Sequence, residues 1–92
     1  MKVLSEKELK EKLKLLNGWD YFNGSLQKEF TKINFVDALT FILKIGFEAE
    51  KLDHHPDLQL HSWNKVKVIL STHSAGGVTE NDFKLAEIIE KI

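Results

Sequence analysis

The sequence predicts an α+β domain in the order α-β-β-α-β-β-α, with three helices packed on one face of a four-stranded antiparallel sheet. Three observations carry this. Apolar residues recur at helical spacing in three separate stretches, an Asn-Gly dipeptide joins two short aromatic-containing runs, and strict alternation sets in after residue 58. The chain of 92 residues has one proline and no repeat, low-complexity tract or linker, so it reads as a single domain over 1–92.

Ser5 with Glu8 three residues later has the form of a capping box, and Leu9, Leu13 and Leu16 follow at helical spacing until Asn17-Gly18. A first helix over 6–16 is predicted. Trp19 to Phe22 and Leu26 to Lys32 form a hairpin across Asn23-Gly24, the dipeptide that best tolerates positive φ at both positions of a tight turn. Asn34 with Asp37 is another cap, opening a long helix from Phe35 through Leu52. Leu58 and Leu60, then Val66, Val68 and Leu70, alternate with polar or exposed positions and predict two strands turning near Trp63-Asn64. After Gly76-Gly77, Thr79 and Asp82 make a third capping pair, followed by the apolar series Phe83, Leu85, Ala86, Ile88 and Ile89 of a closing helix.

Composition removes several classes of function. Thirteen basic and 14 acidic residues nearly cancel, and every cation is lysine. Without arginine there is no planar fork for bidentate reading of guanine or phosphate, so direct nucleic-acid recognition is not expected. The N-terminal run is interspersed with acidic residues and is neither a signal peptide nor a membrane span. A cytoplasmic protein is expected. A domain this small buries only about 60–70% of its unfolded surface, and with no cysteine it has no disulfide to reinforce it. Self-association or a metal remains.

All four histidines fall between positions 54 and 73, beside Glu48, Glu50, Asp53 and Asp57. Histidine exchanges protons near neutrality, so converging imidazoles point to acid–base work or to a metal site. Pro56 disfavours α conformation at His55 and holds His54-His55 on a bend where the second helix ends. The strand from Val66 to Thr72 delivers His73 next to Ser74-Ala75-Gly76-Gly77, where backbone can approach a ligand closely. A zinc site from His54, His55, His61 and His73 is the metal alternative, disfavoured because adjacent histidines chelate one ion awkwardly.

Glu50, His54-His55-Pro56, Trp63, His73 and Asp82, in this order and spacing, resemble the pattern of the pterin-4a-carbinolamine dehydratases. The words Glu-Ala-Glu-Lys-Leu-Asp-His-His-Pro, Asn-Lys-Val-Lys-Val and Leu-Ser-Thr-His are also similar to that family, and the resemblance covers nearly the whole chain. It implies dehydration of 4a-hydroxytetrahydropterin to quinonoid dihydropterin, recycling the cofactor of aromatic amino acid hydroxylases, with neither a metal nor an organic cofactor. It further implies proton transfer by His55 and His73, with His54 positioning or sharing that task and Glu50 tuning a neighbouring imidazole. His54 to Pro56 and Thr72 to Ala75 (Thr72, His73, Ser74 and Ala75) would line the pterin pocket, the latter through main-chain groups. Family members often carry an aromatic two residues after the proline; here that residue is Leu58, so a different pocket wall is expected. Asp82 and Trp63 have competing structural readings, as part of a helix cap and as a core or strand-end aromatic. A protein-interaction module is the alternative function, since the resemblance includes dimerisation cofactors of transcription factors.

The second helix is apolar on more than one face. Leu39, Ile42 and Ala49 are expected to cover the sheet, while Val36, Leu43 and Phe47 form a second line. That line predicts a homodimer or homotetramer, which the family resemblance also implies.

Overall fold

The computed structural model describes residues 2–92 and contains the predicted order: α1 Glu6–Leu13, β1 Asp20–Phe22, β2 Ser25–Thr31, α2 Phe35–Leu52, β3 Asp57–His61, β4 Lys65–Leu70 and α3 Glu80–Glu90. The sheet is antiparallel throughout in the order β1-β2-β4-β3.

Ser5 caps α1 as expected: its Oγ accepts from Glu8 N at 3.2 Å, and Glu8 Oε1 accepts from Ser5 N at 3.0 Å. The helix stops at Leu13, three residues before the predicted end at Leu16. Leu15 N and Leu16 N bond carbonyls three residues back, at Lys12 and Leu13, so the chain tightens into the turn instead of continuing as α-helix. The Ser5 N–H, then its hydroxyl, hold the Glu8 carboxyl below the usual glutamate range. A lowered folded-state pKa makes the cap's contribution complete above the ordinary range and lost as pH falls through the folded value. Ser5→Ala is expected to move the Glu8 midpoint upward in a carboxyl ¹³C NMR titration. An unchanged midpoint would contradict the reciprocal cap.

Asn23 and Gly24 take the positive φ angles, 50° and 77°, that the first hairpin requires. In the second hairpin Ser62 and Trp63 do so, at 49° and 58°, between the pair His61↔Lys65. Register decides the faces. Leu26↔Leu70, Phe30↔Val66, Leu58↔Val68 and Leu60↔Val66 share the inner side, where Leu26, Val66, Val68 and Leu70 are fully buried. Leu9 of α1, Ala38, Phe41, Ile45 and Ala49 of α2, and Phe83, Leu85, Ala86 and Ile89 of α3 complete this one core. The other side carries Gln27, Glu29, Thr31, Gln59, His61, Lys65 and Lys67, a solvated polar face. Alternation from residue 58 onward is thus burial against helices on one side and water on the other.

Lys28 of β2 points inward, where Nζ donates to Asn17 O at 2.7 Å, pairs with Glu90 and lies 4.7 Å from the centre of the Phe30 ring. Gly18, at φ +84°, allows this: a Cβ there would meet Lys28 Cε at 3.0 Å.

The buried line of α2 is Ala38, Phe41, Ile45 and Ala49, with Ile42 and Leu52 packed partly against the core. Leu39 is not on it. One residue past Ala38, it turns outward with Val36, Leu43 and Phe47, which are 65%, 60% and 67% exposed. The helix therefore does have two apolar faces, and α1 and α3 do not cover the second.

Candidate active site

The end of α2 positions the histidine pair. Asp53 adopts the left-handed conformation at φ 50° and its N–H donates to Ala49 O and Glu50 O, while His54 N donates to Ala49 O at 3.1 Å. This αL cap reverses the chain over the last turn. His54 is then buried and His55 exposed, and Pro56 leads into β3. Because Asp57 pairs with Ile69, residues 54–56 lie alongside the segment leaving β4, and sheet register brings the two predicted stretches to the same end of the sheet.

His54 Nε2 lies 2.6 Å from Asp82 Oδ1, and Asp82 is wholly buried. The second oxygen, Oδ2, accepts from Thr72 Oγ1 at 2.9 Å and from Thr79 N at 2.9 Å. Thr72 and Thr79 hydroxyls are 2.7 Å apart, and Thr79 Oγ1 accepts from Asn81 N at 3.3 Å. One carboxylate thus ties the end of α2, the exit of β4 and the start of α3. His55 is held differently, with Nε2 2.8 Å from Glu50 Oε1 in a pair whose side chains are 60% and 79% exposed.

Thr72 and Gly77 form an isolated bridge that closes the loop carrying His73. Ala75 N and Gly76 N both donate to Thr72 O at 3.0 Å, so the Ala75 N–H faces into the loop. The N–H groups of His73 and Ser74 have no backbone partner among the described residues, and both residues are exposed. Among the described residues no protein group engages either ring nitrogen of His73. It follows directly on Thr72, so it adjoins the His54–Asp82–Thr72 network through the chain, without a hydrogen bond to the other imidazoles.

His61 stands apart at the far end of β3, with Nε2 2.5 Å from Glu29 Oε1 and Nδ1 3.1 Å from Ser62 Oγ on the polar face. The four-histidine metal set is therefore not assembled, and no group of three or more His, Cys, Asp or Glu side chains is placed to hold an ion among the described residues. Trp63, 61% exposed, is a strand-end aromatic and not a core one. Leu58 packs partly against the core, pairing with Val68. A cavity of about 390 Å³ between α2 and α3 is lined by Lys44, Phe47, Glu48, Ile88, Lys91 and Ile92, none of them a histidine.

Sequence reasoning named Asp82 only for its cap and its place in the motif, and gave Thr79 no part in the site. The capping pair was the available signal: a cap uses one carboxylate oxygen, leaving the second for His54.

A family model described as Pterin 4 alpha carbinolamine dehydratase matches residues 2–92. The chain belongs to that family. A protein of Sulfolobus acidocaldarius is 48% identical over 89 residues, 97% of each chain, and one of Christiangramia forsetii is 47% identical over 92 residues, all of this chain and 94% of the relative. Both are provisionally named pterin-4-alpha-carbinolamine dehydratases. The crystal structure of a transcriptional coactivator/pterin dehydratase from Brucella melitensis superposes with a TM-score of 0.90 at 37% identity, covering 97% of this chain and 96% of that one. For this member of the dehydratase family the fold is that of a solved relative, and no helix is long and apolar enough to cross a membrane among the described residues.

Proposed function

We propose that this chain is a hydro-lyase that removes water from a 4a-hydroxytetrahydropterin, giving the quinonoid dihydropterin by histidine acid–base catalysis and so recycling a hydroxylase cofactor. The observation that carries the reading is the buried Asp82, which fixes His54 and Thr72 together and so sets the His54-His55-Pro56 bend beside the loop of His73. The chemistry needs two proton movements: hydroxide leaves as water once protonated, and the N–H proton of the adjacent ring nitrogen departs. One imidazolium and one neutral imidazole suffice. His55 and His73, both exposed and neither bonded to a buried group, are the proton-transferring pair, and His54 positions the pterin or shares that task. Glu50 Oε1, 2.8 Å from His55 Nε2, orients that imidazole. Pro56, Ser74 and Ala75 border the same surface, and no metal or organic cofactor is required by this scheme.

The test is a dehydration assay in which a hydroxylase generates the substrate and the spontaneous rate is subtracted. Turnover supports the reading, and its absence with all histidines intact overturns it. Glu50→Gln is expected to leave the melting temperature unchanged, because exposed pairs contribute only about 0–1 kcal/mol. It should lower kcat less than His55→Ala does.

A second reading, a protein-interaction module, is favoured by the outward row of Val36, Leu39, Leu43 and Phe47 on α2. In either reading this row serves a homodimer or homotetramer, since contiguous exposed apolar residues on so small a domain mark an interface. Leu43→Glu with Phe47→Glu is expected to reduce the mass seen by light scattering at micromolar concentration, by placing charge in a buried contact. A wild-type monomer of 10.6 kDa, or a double variant of unchanged mass, would exclude this interface.

A further inference from the structure

The hydroxyl protons around Asp82 can be assigned one by one. Thr72 has a single hydroxyl proton, and it is directed to Asp82 Oδ2 at 2.9 Å. In the 2.7 Å contact between the two threonines, Thr79 must therefore be the donor and Thr72 the acceptor. Thr79 Oγ1 in turn accepts from Asn81 N, in the first turn of the α3 helix that it caps. Donation runs one way, from the N-terminus of α3 through Thr79 and Thr72 into the carboxylate. Thr79 N also donates to Oδ2, so that oxygen receives two hydrogen bonds and Oδ1 is left for His54 Nε2 at 2.6 Å.

We propose that Asp82, its Oδ2 held by Thr72 and Thr79, fixes His54 as the Nε2–H tautomer and presents Nδ1 as a hydrogen-bond acceptor for the N–H of the pterin ring, with Thr72 and Thr79 as positioning residues. Asp82 offers acceptors only, so neutral His54 must place its proton on Nε2. Among the described residues Nδ1 has no partner, and the one partnerless buried side-chain nitrogen or oxygen is Trp19 Nε1. His54 Nδ1 therefore reaches the surface although its residue is buried. A lone pair aimed outward can accept the ring N–H. When that proton moves to Nδ1, Asp82 is already bonded to the imidazolium that forms, and the 4a-hydroxyl leaves as water with a proton from the imidazolium of His55 or His73. An orienting carboxylate behind an imidazole plays this part in serine proteases, where loss of the correct tautomer costs about 10⁴ in kcat.

This assignment rests on the dehydratase reading only for the identity of the N–H; the tautomer is measurable without substrate. Two-bond ¹H–¹⁵N NMR spectra of the full chain, labelled in histidine and recorded where His54 is neutral, should show Nε2–H. In Asp82→Asn, Thr72 and Thr79 N still donate to the side-chain oxygen, so the amide N–H₂ faces His54 Nε2 and forces the Nδ1–H tautomer. kcat should fall at least about tenfold with the flip. Thr79→Val should keep Nε2–H, because Asp82 still offers acceptors only, but should lower kcat by loosening Thr72 and the carboxylate, and Thr79→Ser, which keeps the donor, should restore the wild-type rate. Nδ1–H in the wild type, retention of Nε2–H in Asp82→Asn, or equal rates for Thr79→Val and wild type would each overturn the proposal. The wild-type spectrum decides even if Asp82→Asn does not fold. Absence of wild-type turnover with the Nε2–H spectrum intact would instead sink the dehydratase reading and leave the tautomer assignment standing.

Discussion

Alanine at His73 or at His55 is expected to lower kcat by at least about tenfold while the protein stays folded, because a positioned acid–base group contributes about 10²–10⁴-fold. Both imidazoles are solvent-exposed, and neither is bonded to a buried group: His73 has no side-chain partner among the described residues and His55 meets only the exposed Glu50. Truncation should therefore leave stability within about 0.5 kcal/mol of wild type, as for surface substitutions in general. Loss of rate without loss of melting temperature separates a chemical role from a structural one. The assay is the hydroxylase-coupled dehydration with the spontaneous reaction subtracted at each enzyme concentration. Wild-type rates in both single variants would remove these two histidines from proton transfer and leave His54 as the sole candidate.

The fold was legible because local signals agreed with one another. Three capping pairs, Ser5/Glu8, Asn34/Asp37 and Thr79/Asp82, mark the three helix starts, and each makes the expected side-chain-to-backbone bond. Asn23-Gly24 fixed a hairpin through φ alone. Boundaries decided by tertiary contact were less visible. Leu13 and Leu16 continue the helical period, yet the chain tightens after Leu13. On a helix with apolar residues at nearly every outward position, periodicity could not say that the core lies under Ala38 and not Leu39. In the site, the bend at Pro56 and the clustering of His54, His55 and His73 were readable from spacing. Which imidazole is buried was not, since that depends on the left-handed turn at Asp53 and on a carboxylate 28 residues away. The pairing of His61 with Glu29 likewise needs sheet register and separates one histidine of four from the site.

Asp82→Ala is expected to be the most destabilising single substitution at this site. Asp82 has no exposed surface, and its two oxygens receive His54 Nε2, Thr72 Oγ1 and Thr79 N. Alanine leaves three donors facing an apolar methyl group where water has little access. A buried group deprived of its partner costs about 1–3 kcal/mol, and breaking a buried pair from one side costs about 3–5 kcal/mol. The Thr72 hydroxyl can rotate, but the Thr79 N–H at the cap and the His54 ring cannot both find new acceptors. About 3 kcal/mol, at about 4 °C per kcal/mol for a domain of this size, lowers Tm by at least about 12 °C at fixed protein concentration. Asp82→Asn keeps an oxygen for Thr72 and Thr79 and should lose less. Thermal unfolding followed by circular dichroism distinguishes them. A drop of under about 3 °C in Asp82→Ala would mean that α3, β4 and the end of α2 are joined by apolar packing alone, and that the carboxylate serves His54 and nothing else.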